Sequence, residues 1–256
     1  MNKIEQAIVD ASLAFNRKCP ELESDYMWLA YSSFVIPKYK VVYFSVPKNA
    51  CTTLKRLVYR INGKIPPSNL GDIHFHSLHL HLAQLKPGEI YNAIASSQWF
   101  RFGVVRNPYD RLLSAYKSKI TDINHEPTFL KIRGKILDYY GLTGHGHKVT
   151  FPQFVKWVHQ VRHMDSHWNI QAKILRVDVV KYSLLARFEN FDKDMEKFFA
   201  GTKIAPLPLE ITNPTNPTKM SEFYTQELAD IVYEIYQKDF EQFGYHRDSW
   251  KDGGAT

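Results

Sequence analysis

Residues 40–55, KVVYFSVPKNACTTLK, constrain the fold most, because they predict a buried strand that leads through a short loop into a helix. Residues 41–46 are β-branched or aromatic except for one serine, and Pro47 ends the run because proline cannot donate to a sheet ladder. Beyond the loop, the apolar spacing of residues 54–58 suits a helix with one buried face. The sequence therefore predicts a helix that begins at the loop.

The start of this helix has the chemistry of an anion site. The first N–H groups of a helix have no partner within it, and the helix dipole is positive at that end. Thr52 and Thr53 add hydroxyl donors, and Lys48 adds a full positive charge. We expect a phosphate to fit here, although an ordinary connection with an N-cap threonine and a solvated lysine has the same composition.

A second strand-to-helix junction lies at residues 100–117, FRFGVVRNPYDRLLSAYK. Asn107 suits an N-cap, Pro108 stands where a missing N–H costs nothing, and Asp110 is placed to reach back to the cap. Arg106 ends the predicted strand. Ligands bind at the carboxyl edge of an open parallel sheet, so we expect Arg106 to face the same crevice as the first junction.

The two junctions together resemble a known family. PKNACTTLK resembles the 5′-phosphosulfate loop of sulfotransferases that use 3′-phosphoadenosine 5′-phosphosulfate (PAPS), and RNPYDRLLSAYKSK resembles their 3′-phosphate motif, an arginine followed eight residues later by a serine, here Ser114. The resemblance is in particular to the carbohydrate sulfotransferases of the chondroitin and dermatan 4-O and HNK-1 group, which share the forms PKxACTxxK and RxPxxRLxSAYxxK. One departure is Leu54, where many sulfotransferases carry a tryptophan, and this puts adenine stacking by that residue in doubt.

The resemblance continues downstream, to about residue 245. Similar segments are FPQFV at residues 151–155, HWNIQ at residues 167–171, RFE at residues 187–189 and the closing helix at residues 235–245. Alternating strands and helices with phosphate loops at strand ends predict an α/β fold, a three-layer domain around a central parallel sheet, similar to a P-loop kinase. The resemblance implies transfer of a sulfuryl group from PAPS to a hydroxyl, on a carbohydrate, with release of 3′,5′-ADP.

The resemblance also implies roles for individual residues. The 5′-phosphosulfate would be held by Lys48, Asn49, Ala50, Cys51, Thr52 and Thr53, and the 3′-phosphate by Arg106 and Ser114. Lys48 would also stabilise charge on the leaving phosphate. The HWNIQ segment would contribute acceptor or nucleotide contacts through His167, Trp168 and Gln171. PAPS would be a co-substrate, and no metal would be required.

Histidines are concentrated in residues 71–81, GDIHFHSLHLH. Sulfuryl transfer to a hydroxyl needs a general base, and imidazole has a suitable pKa. In several sulfotransferases a histidine between the two nucleotide motifs has this role, so we expect His76 to be the base, with His74 as the alternative and Asp72 as a weaker candidate. Zinc is another possible use of such a cluster, but no CxxC or HExxH accompanies it.

Length and composition fit one domain. The 256 residues are 44% hydrophobic, which is enough to bury a full core, and no composition shift divides them. We expect a single domain over residues 1–256, with the family-like core at residues 40–245 and an N-terminal helical extension at residues 1–39.

Two other functions share some of these features. A P-loop nucleotide kinase has the same topology, but the GxxxxGK[ST] motif that wraps a triphosphate is absent from the sequence. A non-enzymatic basic module that binds sulfated glycan would suit the net charge of +7. We expect a nucleotide co-substrate and a glycan acceptor as partners, and no nucleic acid. The sequence leaves the oligomeric state open.

The sequence also suggests a location. Residues 1–18 predict a polar amphipathic helix, and the chain has no long apolar run that would act as a membrane anchor. Cys19 and Cys51 are too few for a disulfide framework, which fits a reducing compartment. Animal members of the family carry an N-terminal membrane helix, so a chain without one is either a soluble, bacterial-type relative or a shortened form, and Met1 favours the former. We expect a cytoplasmic protein.

The remaining elements are predicted from local patterns. Residues 90–94 suggest a short strand, and residues 121–148 suggest a helix and a loop with basic residues that could meet an acidic sugar. The other predictions are a helix at residues 151–158, a strand at residues 182–188, a helix at residues 191–199, an irregular loop at residues 204–218 and a closing helix at residues 222–243.

Overall fold

The computed structural model describes residues 29, 32–68, 73, 80–121, 127–142, 146–161, 165–210 and 219–251. The strands and α-helices of these residues are, in chain order, β1 (Ser33–Ile36), β2 (Val41–Phe44), α1 (Cys51–Ile61), α2 (Pro87–Ala95), β3 (Phe100–Val105), α3 (Pro108–Ala115), α4 (Pro127–Tyr139), α5 (Phe151–Val161), α6 (Gln171–Ile174), β4 (Leu184–Arg187), α7 (Phe191–Thr202) and α8 (Gln226–Phe243). A π-helical turn, Tyr116–Thr121, follows α3 directly. The α/β class is confirmed.

The sheet has the order β1-β2-β3-β4 and is mixed. The predicted parallel pairing is confirmed for β2 with β3 and for β3 with β4, but β1 runs antiparallel to β2. A wholly parallel sheet was therefore a wrong expectation. The cause is the run SFVI, which lies in the stretch predicted to be helical and is buried along its whole length. Periodicity cannot distinguish a strand from a helix in so short an apolar run.

The chain divides into two compact units, which are described separately. The first, residues 1–105 and 171–214, contains the sheet with α1, α2, α6 and α7. Helix α1 contacts β1, and α7 contacts β3 and β4. Its core includes the aromatic residues Phe34, Tyr43, Phe102 and Phe198. The rings of Phe102 and Phe198 lie 4.7 Å apart, which anchors α7 on the sheet.

The second unit, residues 106–170 and 215–256, is helical in its described part. Helix α8 contacts both α3 and α5. Tyr109 of α3 lies 4.9 Å from the ring of Phe240, and Phe154 of α5 lies edge-on to Trp168 at 5.3 Å. Aromatic packing thus holds α3 and α5 in place. The single domain over residues 1–256 stays a prediction.

One helix replaces a predicted strand. Residues 90–94 belong to α2, whose first residue is Pro87, and the Glu89 carboxylate accepts a hydrogen bond from the Lys86 N–H at 3.1 Å. Proline and glutamate in the first turn favour a helix start. Ile90, Ala93 and Ile94 are all buried, which is helical and not alternating spacing. The strand prediction was wrong because it considered the apolar residues 90–94 without the helix-start residues Pro87 and Glu89 before them.

Most other predicted elements are confirmed. Residues 151–158, 191–199 and 222–243 overlap α5, α7 and α8, and residues 182–188 contain β4. Thr150 caps α5, because the Thr150 N–H donates to Gln153 Oε1 at 2.8 Å while the Gln153 N–H donates to Thr150 Oγ1 at 3.4 Å. None of the helices in the described ranges combines the length and hydropathy needed to cross a membrane.

Candidate functional site

The loop between β2 and α1 has an unusual backbone. Lys48 and Ala50 have φ values of 73° and 55°, in the left-handed region that costs non-glycine residues free energy. Ala50 is the N-cap of α1, and its methyl side chain offers no acceptor to the first N–H groups of the helix. The ordinary alternative, a threonine N-cap, is therefore not what the structure contains. A helix start without a side-chain acceptor fits an anion as the capping group.

The loop residues differ in exposure. Lys48, Ala50, Cys51 and Thr52 are half-buried, whereas Asn49 and Thr53 are buried. Thr53 Oγ1 donates to the backbone oxygen of Glu210 at 3.2 Å. The hydroxyl of Thr53 therefore has an acceptor within the protein, and the half-buried residues are those best placed to meet a ligand. The cofactor contacts predicted for all six loop residues stay predictions.

Asn49 is the most enclosed residue of the loop. Its side chain is 0% exposed, and Nδ2 donates to the backbone oxygen of Val104 and to Gln171 Oε1, both at 2.7 Å. Gln171 is also 0% exposed. The structure thus joins a residue predicted to hold the phosphosulfate to one predicted to contact the acceptor or the nucleotide, although they are 122 positions apart in sequence. No local pattern signals such a contact.

Lys55 is a buried charge that the sequence reasoning left without a role. It is 8% exposed, and its Nζ lies 5.0 Å from the centre of the Phe34 ring. Burial lowers the pKa of Lys55, and the nearby Cys51 acts in the opposite direction. The sequence feature that could have indicated this contact is spacing. Lys55 follows Cys51 by four residues, and helical side chains point toward the N-terminus of the helix, so the two residues lie on the same face.

The second motif begins α3. Asn107 Oδ1 accepts from the Tyr109 N–H at 3.0 Å, which confirms Asn107 as the N-cap. Asp110 does not complete the cap as predicted. Its Oδ2 accepts from Arg106 Nε at 2.8 Å, because a neighbouring guanidinium is a stronger partner than a backbone N–H. The Arg106 side chain is only 7% exposed, and Ser114 is buried two turns into the helix.

The HWNIQ segment does not form one continuous helix. Its first residues form a turn, and α6 begins only at Gln171. Arg111 of α3 is buried and donates to the backbone oxygens of Asn169 and Ser166 at 2.6 and 2.9 Å, which fixes this turn. Trp168 is fully buried against Phe154 and Phe129, so its indole ring forms part of the core.

His167 has a carboxylate partner. Its Nδ1 lies 2.6 Å from Asp165 Oδ1, and 24% of its side chain is exposed. An acidic partner at Nδ1 fixes the orientation of an imidazole ring. Of the three residues predicted in HWNIQ for substrate contacts, His167 is the one whose side chain reaches solvent; these contacts stay predictions.

The proposed bases lie outside the described residues. This holds for His74 and His76, and also for Asp72 and His79. His81 is buried, with its ring 4.4 Å from that of Phe34. Over the described ranges, no group of three or more histidine, cysteine, aspartate or glutamate side chains is arranged to hold a metal ion. The assignment of the base stays a prediction.

Comparison with known proteins decides the family. The model of the Sulfotransferase family matches residues 31–246, which include both junctions and the HWNIQ segment. The chain belongs to the Sulfotransferase family. Within this family member, PKNACTTLK forms the loop before α1 and the first residues of α1, and RNPYDRLLSAYKSK forms α3 with its flanks.

Similar curated proteins share the family. The chain is 25% identical over 237 residues to carbohydrate sulfotransferase 9 of Homo sapiens, covering 83% of this chain and 52% of the relative. It is 28% identical over 182 residues to carbohydrate sulfotransferase 14 of Mus musculus, covering 67% and 46%. It is 26% identical over 247 residues to carbohydrate sulfotransferase 10 of Danio rerio, covering 85% and 67%.

The chain thus spans about half the length of the first two relatives. No solved structure matches it significantly.

Proposed function

We propose that this chain is a PAPS-dependent sulfotransferase that transfers a sulfuryl group to a hydroxyl of a carbohydrate. The observation that carries the proposal is the start of α1. This helix follows a strand that pairs in parallel with β3, its N-cap Ala50 supplies no side-chain acceptor, and Lys48 lies in the loop before it. Such a helix start binds anions through its N–H groups. We also propose that β2, β3 and β4 form the centre of a three-layer arrangement similar to that of P-loop kinases.

The loop would bind the 5′-phosphosulfate. Lys48, the N–H groups at the start of α1 and the Thr52 hydroxyl would bind its oxygens, and Lys48 would stabilise the negative charge that develops on the leaving phosphate. Charge stabilisation of this kind accelerates transfer only if the donors are fixed in advance. The left-handed backbone at Lys48 and Ala50 supports such preorganisation.

The second motif would bind the 3′-phosphate. Arg106 presents a guanidinium that is buried and oriented by Asp110, and planar guanidinium groups suit phosphate oxygens. Ser114 would add a hydroxyl donor. This residue pair would distinguish 3′,5′-ADP from nucleotides that lack a 3′-phosphate.

The acceptor would be a carbohydrate. The relatives are named carbohydrate sulfotransferases, and the similarity covers more than four fifths of this chain in two of the three. His76, or His74, would accept the proton of the attacking hydroxyl. The identity of the sugar would depend on segments outside the nucleotide motifs, such as residues 121–148.

Ligand-induced stabilisation tests the nucleotide part of the proposal. Thermal unfolding is measured with PAPS, 3′,5′-ADP, ATP or heparin at equal concentration. PAPS and 3′,5′-ADP should raise the melting temperature, because a ligand that binds only the folded state stabilises it. A response to ATP alone would indicate a nucleotide kinase, and a response to heparin alone would indicate a glycan-binding module; either would refute the proposal.

A further inference from the structure

The side-chain amide of Asn49 ties the loop before α1 to two other elements. Both hydrogens of its Nδ2 have acceptors at 2.7 Å, one on Val104 of β3 and the other on Gln171 of α6. Since both neighbours are acceptors, the orientation of the amide is settled by the contacts themselves. Asn49 Oδ1 is buried and accepts no hydrogen bond from the described residues, so the two donated bonds are what fixes the side chain.

The hydrogen bonds of the Asn49 side chain lie at the strained part of the loop backbone. Asn49 is flanked by Lys48 and Ala50, both in the left-handed region. Residues in this conformation persist only when their surroundings hold them. The backbone N–H of Asn49 adds one turn contact, to the oxygen of Val46 at 3.3 Å. The buried amide is therefore the side-chain anchor at the centre of the strained turn.

Gln171 is suited to receive this bond. It is the first residue of α6 and is fully buried in the same compact unit as the loop. Removal of either side-chain amide would leave the other residue with a buried donor or acceptor that has lost its hydrogen bond. The two residues therefore form one unit, and neither amide is available to a ligand in this geometry.

We propose that Asn49 and Gln171 are positioning residues, which hold the loop in the conformation that binds the 5′-phosphate end of the nucleotide. This inference rests on the proposed function. It assigns Gln171 to the loop and not to the acceptor, and it assigns the Asn49 side chain to the protein interior and not to the phosphosulfate. The loop binds through its backbone and through Lys48, and the amide pair keeps that backbone fixed.

The test compares the affinity for 3′,5′-ADP with that for adenosine 3′-phosphate by calorimetry. The ratio of the two affinities measures the contribution of the 5′-phosphate. A general loss of stability would affect both affinities and would leave this ratio unchanged. Asn49→Leu keeps the size and removes both donors, and Gln171→Met removes the acceptor. Each variant should lower the ratio by about 10-fold, with the affinity for adenosine 3′-phosphate within about 2-fold of wild type. Gln171→Glu retains an oxygen acceptor and should lower the ratio less than Gln171→Met.

Asn62→Leu is the matched control. Like Asn49, Asn62 donates two hydrogen bonds through its side-chain amide. Its acceptors are the backbone oxygens of Val35 and Val58, and it lies at the far end of α1. This variant should lose stability without a change in the ratio. The double variant of Asn49→Leu with Gln171→Met should be no worse than either single variant, because the two residues act as one unit.

The outcomes separate this inference from the proposed function. If wild-type protein binds 3′,5′-ADP no better than adenosine 3′-phosphate, the proposed 5′-phosphate site is wrong. If wild type shows the preference and Gln171→Met retains it in full, the positioning role is wrong. Should Asn49→Leu not fold, Gln171→Met and Gln171→Glu still decide the question.

Discussion

Arg106, the residue before the N-cap of α3, donates through Nε to Oδ2 of Asp110 in the first turn of the helix at 2.8 Å. The bond holds a guanidinium whose side chain is almost buried, and it leaves the orientation of the planar group defined before a ligand arrives. The carboxylate also places a negative charge beside a site proposed for phosphate. Asp110 therefore has two opposing effects on a 3′-phosphate: it orients the arginine and it repels the anion.

Two substitutions at Asp110 separate these effects. Asp110→Asn keeps an oxygen acceptor and removes the charge, so the preference for 3′,5′-ADP over 5′-AMP should stay equal or rise. Asp110→Leu also removes the acceptor, and the preference should fall by about 5- to 10-fold. Calorimetry with both nucleotides measures this, with exposed Asp138→Asn as the control. If the preference for 3′,5′-ADP rises in both Asp110 variants, the charge of Asp110 affects 3′-phosphate binding and its hydrogen bond to Arg106 does not.

The proposed binding site of the 3′-phosphate consists of Arg106 and Ser114. Arg106→Ala should reduce the preference for 3′,5′-ADP over 5′-AMP by about 10-fold or more, and Ser114→Ala should reduce it less, because a neutral hydroxyl makes a weaker bond than a guanidinium. The same calorimetry applies. A wild type that binds the two nucleotides equally would contradict the assignment.

Lys48 should be indispensable for turnover. Lys48→Ala removes both charge pairing with the bound anion and stabilisation of the leaving group, so the rate of sulfuryl transfer should fall by at least about 100-fold. Lys64→Ala, at an exposed position just beyond α1, is the control and should keep its rate. Equal, mild losses in the two variants would mean that the loop is wrongly assigned.

The buried Lys55 should make the free energy of unfolding depend on pH. Burial lowers its pKa, so the unfolded state binds this proton more tightly and the free energy of unfolding should rise as pH increases through the lowered pKa toward the ordinary value of 10.5. Lys55→Met keeps the apolar stem and removes the buried charge. In this variant the rise of the free energy of unfolding with pH should be smaller than in wild type, as urea unfolding at a series of alkaline pH values measures. An equal rise in the variant would show that Lys55 is not its source.

The base is tested by rate and by affinity together. His76→Ala should slow sulfuryl transfer by about 10²- to 10⁴-fold with 3′,5′-ADP affinity nearly unchanged, because a general base contacts the acceptor and not the nucleotide. The rate of wild type should fall as the imidazole protonates below neutral pH. A metal chelator should leave the rate unchanged, since a loss would indicate a zinc site.

Parallel variants decide among the alternatives. If His76→Ala retains turnover and His74→Ala loses it, His74 is the base. If both retain turnover, a carboxylate such as Asp72 or Glu189 becomes the candidate, and Asp72→Asn or Glu189→Gln should then slow transfer without a change in nucleotide affinity.

The sequence predicted those parts of the fold that depend on neighbours in the chain. The strand before Pro47, the helix that starts after it and the cap at Asn107 follow from local propensity and are present. The pairing of β1 with β2 was missed because a buried run of four residues, three of them apolar, is too short to show periodicity.

The candidate site shows the same limit. Local reasoning selected Asn49 and Gln171 but could not predict that their side chains contact each other, since tertiary packing brings them together. It also assigned Asp110 to a backbone cap, where the stronger attraction of the Arg106 guanidinium prevails.

Transfer of a labelled sulfuryl group is the most direct test of the central claim. Wild-type protein is incubated with PAPS labelled in the sulfuryl group and with a panel of glycans, lipids, phenols and simple alcohols, and the labelled products are separated and counted. The proposed function predicts label on a glycan hydroxyl, release of 3′,5′-ADP in equal amount, and no transfer by Lys48→Ala. Folded wild type that transfers label to no member of the panel and does not bind PAPS would contradict it.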